Sequence, residues 1–312
     1  MDRRQRVRFI LSGPQDGGRV CFDQGDHMIL LTGITGNIGG ATARALLVKG
    51  VKFRALVRDA AKAATWAEQG VELVRADLED AASVKRALAG IDCALLVLPN
   101  GEFQERLEVG FVRAAKESGL PWIIKLSSPE AIRGTQSPIP LAHIAAEDAI
   151  IGSGMKWTFV RPSFYMQNFR GSLKTARATG KLSMPMGQGT VALTDNQDAG
   201  AFIAHVLTDP NAARHHGQCY DITGPDPVMN FHDIAKVIGD VIGQPVTYDD
   251  CDAKAFQEAI RPFHRNQWHS DAVARLFAEI ADGRTPGHKT DTFQKIMGRP
   301  GRSLHEYLHS LV

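Results

Sequence analysis

The stretch Met28-Ile-Leu-Leu-Thr-Gly-Ile-Thr-Gly-Asn-Ile-Gly-Gly40 reads as an apolar strand, a glycine-rich turn and the start of a helix. Gly33, Gly36 and Gly39 stand at G-x-x-G-x-x-G spacing. That order suits a dinucleotide: the turn lets backbone approach the pyrophosphate, and unpaired N–H groups at the helix start carry partial positive charge. Gly33, Thr35, Gly36, Asn37, Ile38 and Gly39 are therefore candidate coenzyme contacts. The alternative is a surface turn between a core strand and a core helix. The dinucleotide reading gains weight from the neighbouring elements: a helix over 41–49, Gly50 at its C-terminal boundary, and a second strand Phe53-Arg-Ala-Leu-Val57.

The alternation continues along the chain. A helix over Ala60 to Gln69 ends at Gly70, and Val71-Glu-Leu-Val74 is the third strand. Ala81 to Leu88 is a helix, Cys93-Ala-Leu-Leu-Val-Leu98 a strand, Phe103 to Ser118 a helix, and Trp122-Ile-Ile-Lys-Leu126 the fifth strand. Ala142 to Gly152 and Trp157-Thr-Phe-Val-Arg161 add one more helix and strand. Strands this continuously apolar fit a parallel sheet covered on both faces. The expected fold is α/β, a Rossmann-type doubly wound sheet over residues 28–162. Past Pro162 the rhythm loosens. Residues 163–312 are expected to form a smaller, mostly helical region on the substrate side, with segments returning to the core. Helices are expected over Asp195 to Leu207, after the N-cap pattern Asn230-Phe-His-Asp233, over 252–282 and near Leu304 to Leu311; Cys219 to Thr223 and Val246 to Tyr248 read as strands. Residues 1–27 form an N-terminal extension with two strand-like runs, Val7 to Leu11 and Arg19 to Phe22, and the functional unit is expected to begin at Met28.

The chain has 312 residues, 44% hydrophobic and 22% charged, with a formal charge of +2. That is ordinary globular composition, and so small a net charge sets up no strong field for nucleic acid or an anionic membrane. There is no apolar run of 18 residues and no secretory signal pattern, so no membrane span is expected. Cys21, Cys93, Cys219 and Cys251 form no CxxC or zinc pattern. Free thiols, no metal site, a reducing compartment and a cytoplasmic location are the expectations.

Several further motifs, taken in order, carry a resemblance. They are Gly33-Ile-Thr-Gly36-Asn-Ile-Gly39, Ala55-Leu-Val-Arg58-Asp59-Ala-Ala-Lys62, Asp77-Leu-Glu-Asp80, His143-Ile-Ala-Ala-Glu147, Ser153-Gly-Met-Lys-Trp-Thr-Phe-Val-Arg161-Pro162, Asn168, Ile222-Thr-Gly-Pro225 and Met297-Gly-Arg-Pro300. Together these resemble the NmrA-like group of atypical short-chain dehydrogenases, and within it the NADPH-dependent quinone oxidoreductases. Ordinary short-chain dehydrogenases carry a Tyr-x-x-x-Lys pair beside the nicotinamide; Leu141-Ala-His-Ile-Ala-Ala-Glu-Asp148 has none. Without that pair alcohol oxidation lacks its proton-transfer group, whereas hydride transfer to an electron-poor quinone demands less. The resemblance implies an NADPH-dependent reductase of a small apolar or aromatic carbonyl substrate. Two alternatives stay open. One is a non-catalytic NADP-binding redox sensor, acting as a homodimer or on a protein partner. The weaker one is epimerase or dehydratase chemistry on a nucleotide sugar.

Arg58 and Lys62 follow the second strand, where NAD-binding proteins usually carry an acidic residue; an arginine there can meet the 2′-phosphate of NADP. NADPH is thus expected over NADH, although Asp59 is adjacent and Arg58 could equally be a solvated loop residue. By resemblance Asp77 and Leu78 flank the adenine; alternatively Asp77 caps the next helix. Leu98, Pro99 and Asn100 end the fourth strand, in the crevice where open sheets bind ligands. Ser127 and Ser128 stand where ordinary members carry their serine, and Ser127 is counted among the coenzyme contacts. His143 is the sharpest catalytic candidate and also a coenzyme contact, with Glu147 one helical turn on. A surface histidine paired with Glu147 is the bland alternative. Tyr165 is the second catalytic candidate, able to donate to a carbonyl. It lies in Phe164-Tyr-Met-Gln-Asn168, whose Phe164 and Met166 either line an apolar substrate site or close the core. His215 and His216 are expected in a solvated loop.

Overall fold

In a computed structural model, residues 27–263, 266–285 and 287–312 are described; the strand-like runs at Val7 to Leu11 and Arg19 to Phe22 lie outside them. Strands and helices alternate through the first half: β1 (Ile29–Leu31), α1 (Asn37–Val48), β2 (Phe53–Val57), α2 (Ala64–Ala67), β3 (Glu72–Arg75), α3 (Ala81–Leu88), β4 (Cys93–Leu96), α4 (Gln104–Glu117), β5 (Trp122–Leu126), α5 (Pro138–Ser153) and β6 (Lys156–Pro162). Then come β7 (Phe164–Tyr165), α6 (Arg170–Thr179), β8 (Lys181–Ser183), β9 (Thr190–Val191), β10 (Leu193–Thr194), α7 (Asn196–Thr208) and β11 (Gln218–Ile222). The chain ends with β12 (Met229–Asn230), α8 (Phe231–Ile242), β13 (Thr247–Asp249), α9 (Ala253–Ile260), α10 (Gln267–Ala281), α11 (Thr292–Met297) and α12 (Leu304–His309).

Seven of these strands make one parallel sheet in the order β11-β6-β5-β4-β1-β2-β3. Ile29 of β1 lies opposite Phe53 of β2 on one side and Cys93 of β4 on the other. The strand order reverses between β1 and β4, and a doubly wound sheet opens its ligand crevice there, beyond the carboxyl ends of the strands.

Side chains alternate across the sheet with the two-residue period of a strand. Ile29, Leu31, Cys93 and Leu95 face one layer, where they pack with Leu46 of α1 and with Phe202 and Ile203 of α7. Leu30, Ala94, Leu96 and Ile123 face the other, with Val84 of α3 and Phe111 of α4. A third core, from Met166 to Leu308, joins Phe169, Leu173, Phe231, Ile234, Phe277 and Leu304.

Two helices depart from the sequence reading. The expected helix at Ala60–Gln69 is a 3-10 turn at Ala61–Ala63 followed by the single turn of α2. None of α2's residues is fully buried and Trp66 alone of them packs against the core, too little to extend the helix. α5 begins four residues early, with Ser137 at its N-cap position but no side-chain cap, because Pro138 and Pro140 fall in the first turn, where a missing N–H costs nothing. A third expectation is corrected: His215 is fully buried in a 3-10 turn, not solvated. Its Nε2 lies 2.9 Å from Asp209 Oδ2 and its Nδ1 2.8 Å from the Tyr220 hydroxyl, partners that make burial tolerable. Only His216 is exposed.

Candidate active site

The glycine turn is anchored from below. The Thr32 hydroxyl accepts from the Val97 N–H at 2.7 Å and reaches the Val97 carbonyl at 2.9 Å, fastening the end of β1 to the end of β4. Gly33 has φ +67°, and a Cβ there would stand 2.6 Å from the Val97 carbonyl oxygen, so both conformation and space demand glycine. The Gly36 N–H closes the turn on the Gly33 carbonyl at 2.9 Å. Gly36 is the N-cap of α1 and offers no side chain to the first-turn N–H groups. Thr35, Gly36 and Asn37 are exposed, while Gly39 is buried and the Ile38 side chain belongs to the core, leaving Ile38 only its backbone for a ligand. A cleft of about 570 Å³ opens beside the turn, bordered by Thr35, Asn37, Arg44, Lys62, Arg170 and Arg302 among others. An uncapped helix N-terminus beside four cationic side chains fits a phosphate-bearing ligand.

The other predicted coenzyme residues ring the same edge of the sheet. Arg58 is exposed at the end of β2, outside the lining of that cleft. Asp59 Oδ1 accepts from the Ala61 N–H at 3.0 Å and Asp59 Oδ2 lies 3.9 Å from Lys62 Nζ, so its charge is turned into its own loop. Asp77 does not cap α3. Asp80 does, accepting from the Ala82 N–H, while Asp77 is exposed and accepts from the Glu79 N–H. Leu78 packs half-buried against the α3 and α4 layer. Leu98 and Asn100 are half-buried past β4, and Pro99 is exposed.

The densest polar construction lies past β5, two strands from β1 and so about 10 Å along the sheet. His143 and Glu147 are both buried on α5 and do not pair with each other. Glu147 accepts from the Ser127 hydroxyl at 2.6 Å, from Arg161 Nε at 2.9 Å and from a second nitrogen of the same guanidinium. The Ser127 hydroxyl, an expected coenzyme contact, spends its hydrogen on Glu147 and keeps its acceptor lone pairs. Arg161 acts on α5 through Glu147, which fixes the helix against β6. His143 Nδ1 lies 3.1 Å from Lys125 Nζ. Lys125 is fully buried on β5 and also contacts Glu108 Oε1 at 2.8 Å and the Leu126 carbonyl at 2.5 Å. Burial, reinforced by the positive charges of Lys125 and Arg161, holds the His143 imidazole well below its ordinary value, so it is neutral at pH 7. His143 Nε2 has no hydrogen-bond partner among the described residues and is not sealed from solvent.

Tyr165 ends β7 half-buried, its hydroxyl kept protonated by burial and by the Glu130 carboxylate, a neutral donor. Phe164 and Met166 go the other way. Met166 is fully buried, and Phe164 packs against Phe169, Phe231 and Phe277, so both serve the core. The Met297-Gly-Arg-Pro300 motif proves to be a fastening. Arg299 reaches Asp198 at 2.8 Å, the Arg302 N–H donates to Asp198 at 2.6 Å, and the Arg302 side chain reaches Asp195 at 3.2 Å, tying the C-terminal segment to the first turn of α7.

Lys125, Glu108 and Glu279 escaped the sequence reading. A usable signal existed for Lys125, the one charged residue in the apolar strand Trp122–Leu126, because a charge persists in such a strand only with partners. Glu279 joins regions 142 residues apart and left no local mark.

This fold and this site define a Rossmann-type dinucleotide-binding protein whose α5 carries a buried histidine and no Tyr-x-x-x-Lys pair. The chain belongs to the NmrA-like family, whose model matches residues 25–285. It is 32% identical to an NAD(P)H azoreductase of Xenophilus azovorans, over 90% of this chain and 96% of that protein. It is 29% identical to quinone oxidoreductase 2 of Escherichia coli (strain K12), over 91% and 98%. The crystal structure of an NADPH-dependent quinone oxidoreductase from Escherichia coli, complexed with NADPH, superposes with a TM-score of 0.82 at 27% identity, covering 91% of this chain and 99% of that one. Among the described residues no helix is long and apolar enough to cross a membrane.

Proposed function

We propose that this chain is an NADPH-dependent oxidoreductase that reduces quinones and related conjugated carbonyls. The observation that carries the reading is His143: a buried, neutral imidazole held through Nδ1 on Lys125 near the carboxyl end of β5, with no partner for Nε2 among the described residues. The names of the relatives, a quinone reductase and an azoreductase, support the same reading and add azo compounds to the acceptors worth testing.

The residues present fit the coenzyme. The uncapped start of α1 and the turn Gly33–Gly39 would hold the diphosphate, Lys62 and Arg58 the 2′-phosphate, Asp77 and Leu78 the adenine, and the backbone of Leu98, Pro99 and Asn100 the ribose. When bound, the reduced nicotinamide supplies hydride. The protein's part is orientation and a place for negative charge. His143 Nε2–H donates to the carbonyl oxygen of the acceptor and stabilises the anion that develops there. Tyr165, protonated throughout the working pH range, offers a second donor on the β7 side. An imidazole so reluctant to charge serves as a hydrogen-bond donor, and the oxygen takes its proton from water afterwards. The missing tyrosine–lysine pair fits this division, because a quinone oxygen needs little proton assistance.

NADPH and NADH oxidation measured against a panel of quinones, enones and azo dyes tests the reading. Acceptor-dependent oxidation, faster with NADPH, is expected. Binding of NADPH with no turnover of any acceptor would favour a redox sensor.

A further inference from the structure

We propose that Lys125 is a positioning residue for His143: with Glu108 it locks the imidazole in the tautomer whose Nδ1 accepts and whose Nε2 carries the hydrogen. The proposal rests on the reading that His143 donates to the substrate oxygen. The geometry is closed on all sides. An ammonium has three N–H donors and no acceptor. Lys125 Nζ spends them on Glu108 Oε1 at 2.8 Å, the Leu126 carbonyl at 2.5 Å and His143 Nδ1 at 3.1 Å. A neutral imidazole that accepts at Nδ1 must carry its hydrogen on Nε2. Any other tautomer would set two hydrogens against each other inside the protein.

The arrangement is expensive and therefore informative. The Lys125 side chain is 1% exposed and the Glu108 side chain 0%. Two charges withdrawn from water are costly, and apolar replacements of equal volume usually serve stability as well or better. Glu108 Oε2 even lacks a partner among the described residues. Packing therefore gives no reason for the pair, whereas orienting a ring nitrogen does. Glu108 comes from α4, Lys125 from β5 and His143 from α5, so three elements converge on one atom. The remaining charged neighbours, Glu147 on α5 and Arg161 on β6, are paired with each other. Lys125 touches no substrate; it acts through His143.

The test is the ¹⁵N spectrum of the His143 imidazole in the full chain, assigned by its loss in His143→Gln. The expected spectrum is that of a neutral ring with hydrogen on Nε2, unchanged from pH 8 down to about pH 6. Lys125→Met alone leaves Glu108 buried and unpaired and can fail to fold, so the decisive variant is Lys125→Met/Glu108→Leu, which removes both charges. In it the two ring nitrogens should average towards a tautomer mixture. Turnover of the quinone acceptor should fall roughly 10-fold or more, as losses of an orienting partner do, with NADPH affinity unchanged. An Nδ1–H tautomer in the unmodified protein, an imidazolium titrating at its ordinary value, or a double variant that keeps a pure Nε2–H ring would overturn the proposal. Should the unmodified protein turn over no acceptor, the reductase reading falls by itself, and the spectra still decide whether Lys125 sets the ring.

Discussion

The Glu279 carboxylate accepts a hydrogen bond from the Ser137 N–H at 3.1 Å, and Ser137 is the N-cap of α5, the helix that carries His143. The same carboxylate accepts from the Gln136 N–H and the Thr135 hydroxyl, both at 2.7 Å. A side chain from α10, in the C-terminal region, thus holds the start of the helix on which the proposed chemistry depends. Glu279 is 2% exposed, so its loss takes the acceptor from the buried Ser137 N–H and from two part-buried donors at once. Glu279→Ala should cost about 3 kcal/mol of stability in a urea titration, near the upper end for hydrogen bonds to a charged group. A change below about 0.5 kcal/mol, the size usual for a surface substitution, would show that the clasp is unimportant.

Glu147 gives a ranked pair of expectations. Arg161→Met leaves its carboxylate buried without a counter-charge and should cost about 3–5 kcal/mol. Ser127→Ala removes one hydrogen bond and leaves the ion pair, costing about 1–2 kcal/mol. Chemical denaturation of both variants measures the order, and a Ser127→Ala loss equal to or above that of Arg161→Met contradicts it.

The sheet was legible almost strand by strand, because uninterrupted apolar runs between glycine-closed helices admit few other arrangements. The glycine turn was equally plain. What sequence left dark was the inside of the site. Ser127 reads as a coenzyme contact with no hint that its hydroxyl donates to Glu147, and His143 reads as a catalytic candidate with no hint that Lys125 lies against its Nδ1. Both facts come from side chains of β5 and the residue after it meeting α5, which no local pattern encodes. His215 follows the same rule: a histidine between polar neighbours reads as solvated, while Asp209 and Tyr220, which no local pattern brings to it, close over the ring.

Coenzyme choice should follow the cations near the glycine turn. Lys62→Ala and Arg58→Ala should each weaken NADPH by about 1.5–3 kcal/mol, the range for hydrogen bonds to a charged group, and leave NADH nearly unchanged. Calorimetry with both coenzymes decides it, and equal affinities in the unmodified protein are incompatible with a 2′-phosphate contact.

Acid should destabilise the protein through its buried histidines. Burial lowers His143 and His215 in the folded state. A lowered folded value means that the unfolded chain binds protons first, so this contribution to stability is complete above about pH 6.5, the unfolded value, and declines as pH falls below it. His143→Asn should shallow that decline between about pH 6.5 and 5. An identical pH dependence in the variant would mean that His143 charges normally in the fold.

Turnover and coenzyme binding measured side by side for His143→Ala test the central claim most directly. With NADPH and a quinone acceptor, kcat is predicted to fall roughly 10- to 100-fold, at or below the usual range for general acid catalysis, while the Kd for NADPH stays within about 3-fold, less than 1 kcal/mol. An unchanged kcat, or a loss that appears entirely in NADPH affinity, would contradict the proposed role and leave His143 as a structural residue of the coenzyme crevice.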